Sequence, residues 1–142
     1  MKFRNLILVA AVCLLAFAMA ASAADPTPSP MKPGKWEVTV QMDMPGMQMP
    51  PRTFTRCVTT EDAQNAENAV PKMRGAEGCK MTEFKVEGST LTWKMNCEQH
   101  QSSADGKLVF DNDSYTGEVH VKAPDHEMTM KHTGKRVGDC DQ

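Results

Sequence analysis

The sequence predicts a mainly β fold: an antiparallel meander of about seven strands curled into a small barrel or sandwich, with one short helix near residues 60–70. Three observations carry this. Apolar and polar residues alternate along several short runs, the period of a strand with one buried face. Turn residues separate those runs at hairpin spacing. No strand–helix–strand rhythm is present, which argues against a parallel sheet.

The first 24 residues stand outside that fold. Lys2 and Arg4 precede an apolar run from Leu6 to Met19, and Ala21-Ser22-Ala23 offers small residues for cleavage. This is the pattern of a signal peptide, too short with these flanks to be a membrane span. The mature chain is therefore expected to start at Ala24 or Asp25 and to be exported, to the periplasm or beyond the cell. The segment takes with it two of the 16 basic residues and none of the 18 acidic ones, leaving a net charge of about −4. A weakly acidic domain without a basic cluster is a poor partner for nucleic acid. No later stretch approaches the ~18 apolar residues of a transmembrane helix. What is left is enough for one domain.

Residues 25–34 (DPTPSPMKPG) hold four prolines and read as an extended, exposed leader, with the single domain running over 35–142. Trp36 to Met42 alternates strictly and is the first strand. Met44-Pro45-Gly46-Met47 then turns the chain, because proline cannot donate to a ladder. Arg52 to Val58 is a second strand. Thr59-Thr60-Glu61-Asp62 has a hydroxyl cap followed by acids in the first turn, a helix start. Ala63, Ala66 and Val70 form its apolar stripe, and Pro71 ends it. Cys79 to Glu87 and Ser89 to Cys97 form a hairpin about Gly88-Ser89. Gly106 to Asp111, Ser114 to Ala123 and His126 to His132 complete the strands, with turns at Asn112-Asp113 and Pro124-Asp125.

Cys13 leaves with the signal peptide, so Cys57, Cys79, Cys97 and Cys140 remain, an even number in an oxidising compartment. Cys79 and Cys97 are equidistant from Gly88 and so face each other across the hairpin. Elimination pairs Cys57 with Cys140. No two cysteines are spaced C-x-x-C, so structural disulfides are expected rather than redox-active ones.

Several of these segments together carry a resemblance: Pro33-Gly34-Lys35-Trp36-Glu37-Val38, Met44-Pro45-Gly46-Met47, Cys57-Val58-Thr59-Thr60-Glu61-Asp62, the Cys79–Cys97 hairpin with Trp93, Ser114-Tyr115-Thr116-Gly117, and Gly134-Lys135-Arg136-Val137-Gly138-Asp139-Cys140. In this order they resemble a bacterial exported family, domain of unknown function 3617, over nearly the whole mature chain. Lys35 departs from the pattern, standing where a large apolar residue is expected. The resemblance implies an exported, periplasmic protein and supplies no catalytic or binding residue.

Methionine is the side chain from which chemistry would come. Met42, Met44, Met47 and Met49 fall within eight residues. Thioether sulfur is a soft ligand for Cu(I) and needs no deprotonation, so these four on one turn are a candidate metal site. Met128 and Met130, flanked by His126 and His132 on one strand face, form a second cluster, with His120 on the neighbouring strand. The competing reading is packing: Met42 continues the parity of Trp36, Val38 and Val40, and methionine fills irregular core gaps. Catalysis has little to build on. There is no G-x-S-x-G, H-E-x-x-H or phosphate-binding loop, and His126 and Glu127, adjacent on a strand, point to opposite faces. A third possibility is a small apolar-ligand carrier with a cavity lined by Trp36, Phe84, Leu91, Trp93, Phe110 and Tyr115, which would otherwise fill the interior. The expected function is therefore that of an exported, non-enzymatic protein, binding or envelope-associated, with no cofactor. Cu(I) binding through the methionine turn is the alternative, and apolar-ligand carriage the second.

Overall fold

The computed structural model describes residues 25–73 and 76–140, the Gln48 side chain excepted; the predicted signal peptide lies outside the described residues. Eight strands form one antiparallel sheet: β1 (Gly34–Met44), β2 (Met47–Gln48), β3 (Arg52–Val58), β4 (Lys80–Glu87), β5 (Thr90–Cys97), β6 (Ser102–Asp111), β7 (Ser114–Lys122) and β8 (Glu127–Gly138). β2 and β3 both pair with the same side of β1, so the sheet is seven strands wide. From there the neighbours run β1, β8, β7, β6, β5, β4.

β1, β5, β6 and β7 follow the predicted alternation, whereas Arg52 to Thr55 of β3 are all exposed. Along β6, Ala104, Gly106, Leu108 and Phe110 are buried while Ser103, Asp105, Lys107 and Val109 are exposed. The buried residues of the strands form one inner face, with Trp36, Leu91, Leu108 and Val119 most completely enclosed. Two aromatic rings lie where the neighbouring strand carries glycine. A Cβ at Gly106 would sit 2.2 Å from Cζ2 of Trp93, and one at Gly134 would meet the Tyr115 ring as closely. Glycine here opens room for a ring on the sheet, a device for curving it.

The predicted barrel or sandwich does not form, and the reason is local. β1 pairs with β8, the contact that would close an up-and-down meander, but β3 and β4 do not pair. Between them runs the connector 59–79. Its α1 (Thr60–Gln64) and 3-10 turn (Ala66–Ala69) bring Ala66, Ala69 and Val70 into the same core as the sheet residues, with Met73 packed against it. The connector that joins β3 and β4 is thus built into the core itself. The predicted helix is real at its start: Thr59 and Asp62 form a reciprocal capping box, with Thr59 Oγ1 accepting from Asp62 N at 3.0 Å and Asp62 Oδ2 from Thr59 N at 3.0 Å. Asn65 breaks it by capping the following turn, its Oδ1 accepting from Glu67 N at 3.0 Å.

The leader also differs from the expectation of a detached segment. Met31 is 2% exposed and part of the core, Ala66 N donates to Thr27 O at 2.8 Å, and Trp36 Nε1 donates to Lys32 O at 2.9 Å. Proline keeps residues 25–28 extended and exposed, yet the backbone carbonyls it leaves free are used by the connector and by Trp36. No helix among the described residues is long and apolar enough to cross a membrane.

Candidate functional site

Two disulfides staple the ends of the sheet. Cys79 joins Cys97 (Cα–Cα 4.1 Å) across β4 and β5, and Cys57 joins Cys140 (Cα–Cα 5.5 Å). The second straddles β1, since Lys35 of β1 lies between Cys57 of β3 and Gly138 at the end of β8. The Cys79–Cys97 pair depends on a detail invisible in the sequence. The hairpin loop is Gly88-Ser89 with Glu87 opposite Thr90, a register that would set Cys79 opposite Glu98. A bulge at Thr82 shifts it by one, so that Lys80 faces Asn96 and the two cysteines meet.

The methionines converge. Met44 and Met47 are directly opposite in the β1–β2 hairpin, and Met42 is directly opposite Met130 across β1 and β8. Directly opposed Cβ atoms lie about 5 Å apart. Asp43 opposes Thr129, so the next step of that register sets Met44 beside Met128; both border a cleft of about 700 Å³ between the β1–β2 tip and the β7–β8 turn whose other walls are largely polar, with Asp43, Asp105, His120, Lys122, Glu127 and Thr129. The two clusters read separately from the sequence are therefore one patch on the inner face. Met47, 56% exposed, lies at its rim; Met42, Met44 and Met128 are half-buried; Met130 is buried. Met49 is half-buried beyond β2, and no strand pairing carries it into the patch.

His132 follows Met130 on the same face, opposite Val40, and is 6% exposed. Its Nε2 is buried and has no hydrogen-bond partner, and burial lowers its pKa below the ordinary histidine value. His126 and His120 are not on the inner face, although His120 borders the same cleft as Met44 and Met128. His126 precedes β8 and its Nδ1 is 2.7 Å from Asp125 Oδ1, a hydrogen bond that holds the Asp125 carboxyl below its usual range. His120 is on the outer face, 3.0 Å from Thr129 Oγ1.

Methionine lines this rim further than the sequence pattern suggests. Met81 opposes Met95 across β4 and β5, and the same row continues through Ala104 and Val121 to Met128. Met130 and Met128 as partners of the first cluster could not be found by local reading, because β1 and β8 are far apart in the chain.

The outer face is polar. An open groove of about 850 Å³ crosses β4 to β7, with Lys85, Lys94 and Lys107 set among Glu83, Asp105 and Glu118. Lys94 Nζ is 3.0 Å from Glu83 Oε2, and nearer β1, Lys131 Nζ is 3.0 Å from Asp43 Oδ2, a hydrogen bond that raises the lysine pKa. Charges of both signs alternate, which selects for neither polyanion nor polycation. Of the residues proposed to line an apolar cavity, Trp36, Leu91, Trp93, Phe110 and Tyr115 are each at most 5% exposed and belong to one packed cluster, with Phe84 half-buried against it. Tyr115 packs against both Trp36 and Phe110, at centroid distances of 5.8 and 5.5 Å.

A search of curated proteins finds no match. A family profile described as "Protein of unknown function (DUF3617)" matches residues 31–140, from the buried Met31 to Cys140 of the second disulfide. The chain belongs to the DUF3617 family.

Proposed function

We propose that this is an exported, non-catalytic binding protein whose ligand is a soft metal ion, Cu(I), taken up at the methionine-lined rim of the inner face. The observation that carries the metal reading is the convergence of Met42, Met44, Met47, Met128 and Met130 from three strands onto one patch graded from exposed to buried. Thioethers bind Cu(I) without a proton to lose and persist where cysteine is consumed in disulfides. Export is supported by the two disulfides. The absence of a catalytic role is supported by the dispersal of the histidines: His120 outside, His126 in a turn, His132 inside. Apolar-ligand carriage is disfavoured by an interior already filled by its own aromatic residues.

Titration of the oxidised protein with Cu(I) against a competing chelator tests this. Binding tighter than about micromolar is expected, lost when Met42, Met44, Met47 and Met49 all become leucine, a swap that keeps volume and fold. Binding weaker than that, or unchanged in the leucine variant, refutes the metal reading.

A further inference from the structure

Among the described residues, two polar side-chain atoms are buried without a hydrogen-bond partner, Trp93 Nε1 and His132 Nε2. They are not equivalent. An indole N–H has only a proton to offer, whereas an imidazole with its proton on Nδ1 presents a lone pair at Nε2. A buried polar group without a partner is costly, and selection for packing alone would favour an apolar residue there. His132 also has a specific neighbourhood. It lies two residues from Met130 on the same face of β8, and Met42 of β1 is directly opposite Met130. On β1 the residue opposite His132 is Val40, and on β7 it is Gly117, which brings no side chain of its own.

We propose that His132 is the inner ligand of the metal site, completing a Met42–Met130–His132 set in which two thioethers and one imidazole bind Cu(I). This rests on the soft-metal reading above and goes beyond it, because it moves the ion from the exposed hairpin tip into the sheet interior. Met44, Met47 and Met128 then form the approach, thioethers on the same face nearer the strand ends. Both donor types suit Cu(I), and a neutral imidazole beside two neutral sulfurs leaves the ion's single positive charge as the only one brought inside. No redox step or proton transfer is involved: the ion enters and leaves as Cu(I).

Ag(I), a redox-inert stand-in for Cu(I), provides the test. The full chain, expressed for export and recovered oxidised with ¹⁵N in its histidines and ¹³C in its methionine methyls, is titrated with Ag(I) and followed by NMR. The expected result at one equivalent is a large shift of His132 Nε2 together with the Met42 and Met130 methyls, with His100, His120 and His126 unmoved. Methyl shifts at the rim with His132 unmoved overturn the inner site while leaving the soft-metal reading intact. No methyl shifts at all overturn both. His132→Leu supplies an independent measure. The variant is expected to be at least as stable as the wild type, since it removes an unpartnered polar group, and to bind Cu(I) at least about tenfold more weakly, as loss of even an indirect metal contact costs about that much. Unchanged affinity in a folded His132→Leu protein refutes the assignment.

Discussion

Replacing Gly106 by alanine should destabilise the protein by about 3 kcal/mol, the upper end of the cost of overpacking a core. The added Cβ would lie 2.2 Å from Trp93 Cζ2 and 2.5 Å from Cη2. Ordinary carbon contacts begin near 3.5 Å, so ring and strand must separate by about 1.3 Å. Neither has room to give. Trp93 is 2% exposed, and Val119, opposite Gly106 on the other side, is 1% exposed. Gly88→Ala is the control: it lies in the hairpin loop at φ +59° with nothing within 4 Å of its would-be Cβ, so only backbone strain of about 1 kcal/mol applies. Urea unfolding with the disulfides intact measures both, and a double-mutant cycle with Trp93→Leu isolates the contact. In the leucine background the Gly106→Ala cost should fall below about 1 kcal/mol, giving a coupling of about 2 kcal/mol. If it costs the same with and without the indole, to within about 0.5 kcal/mol, ring-over-glycine packing is not what fixes Gly106.

The two disulfides should differ in what they contribute. Their cysteines are 83 and 18 residues apart, so by the chain-entropy relation Cys57→Ala with Cys140→Ala costs about 4.5 kcal/mol and Cys79→Ala with Cys97→Ala about 3.2 kcal/mol, an order that denaturant midpoints would reveal. Thr59→Ala removes the capping box and should cost about 1 kcal/mol, with faster hydrogen exchange confined to the connector. Acid should weaken the fold through His132: its folded pKa is lowered by burial, so below the unfolded value of about 6.5 the unfolded chain binds the extra proton and stability falls as pH drops. Melting temperatures between about pH 6.5 and 5 should decline in the wild type and less so in His132→Leu. The lowered Asp62 and Asp125 pKa values act in a separate window, losing their contribution only as pH falls below about 4.

Much of the fold follows from period and punctuation. The alternation in β1, β5, β6 and β7 names the buried face residue by residue, because strand geometry leaves a half-exposed sheet no other pattern. The hairpin turns at Gly46, Gly88 and Asn112, all at positive φ, are equally local. What local reading does not reach is spatial order. Nothing in β3 or β4 says that they stay apart, and the connector's small residues look like a weak helix rather than a cover for the core. The barrel expectation fails at this one seam. The disulfide in the β4–β5 hairpin teaches the same lesson in miniature. Symmetry about Gly88 names the right partners, yet the actual loop centre is half a residue away and a bulge at Thr82 restores the match. A bulge has no dependable sequence mark, whereas the disulfide it permits does.

The candidate site was half legible for the same reason. Parity tells that Met42 and Met44 share a face, and that Met128, Met130 and His132 share another; it does not tell that the two faces are one. That identity comes from the β1–β8 pairing, which joins the first strand of the domain to the last and so lies beyond any local window. The pairing also gives the proposed soft-metal reading a support that composition cannot. If packing were the whole role, a row that is half-exposed at the rim would be expected to grade from apolar inside to polar outside. Here thioethers continue from Met130 at 8% exposure through Met128 and Met44 to Met47 at 56%, while the innermost member of the series is a histidine with an unused ring nitrogen. Polarity runs backwards along this row relative to burial. The proposed passage of a soft cation inward along a line of sulfurs accounts for that inversion.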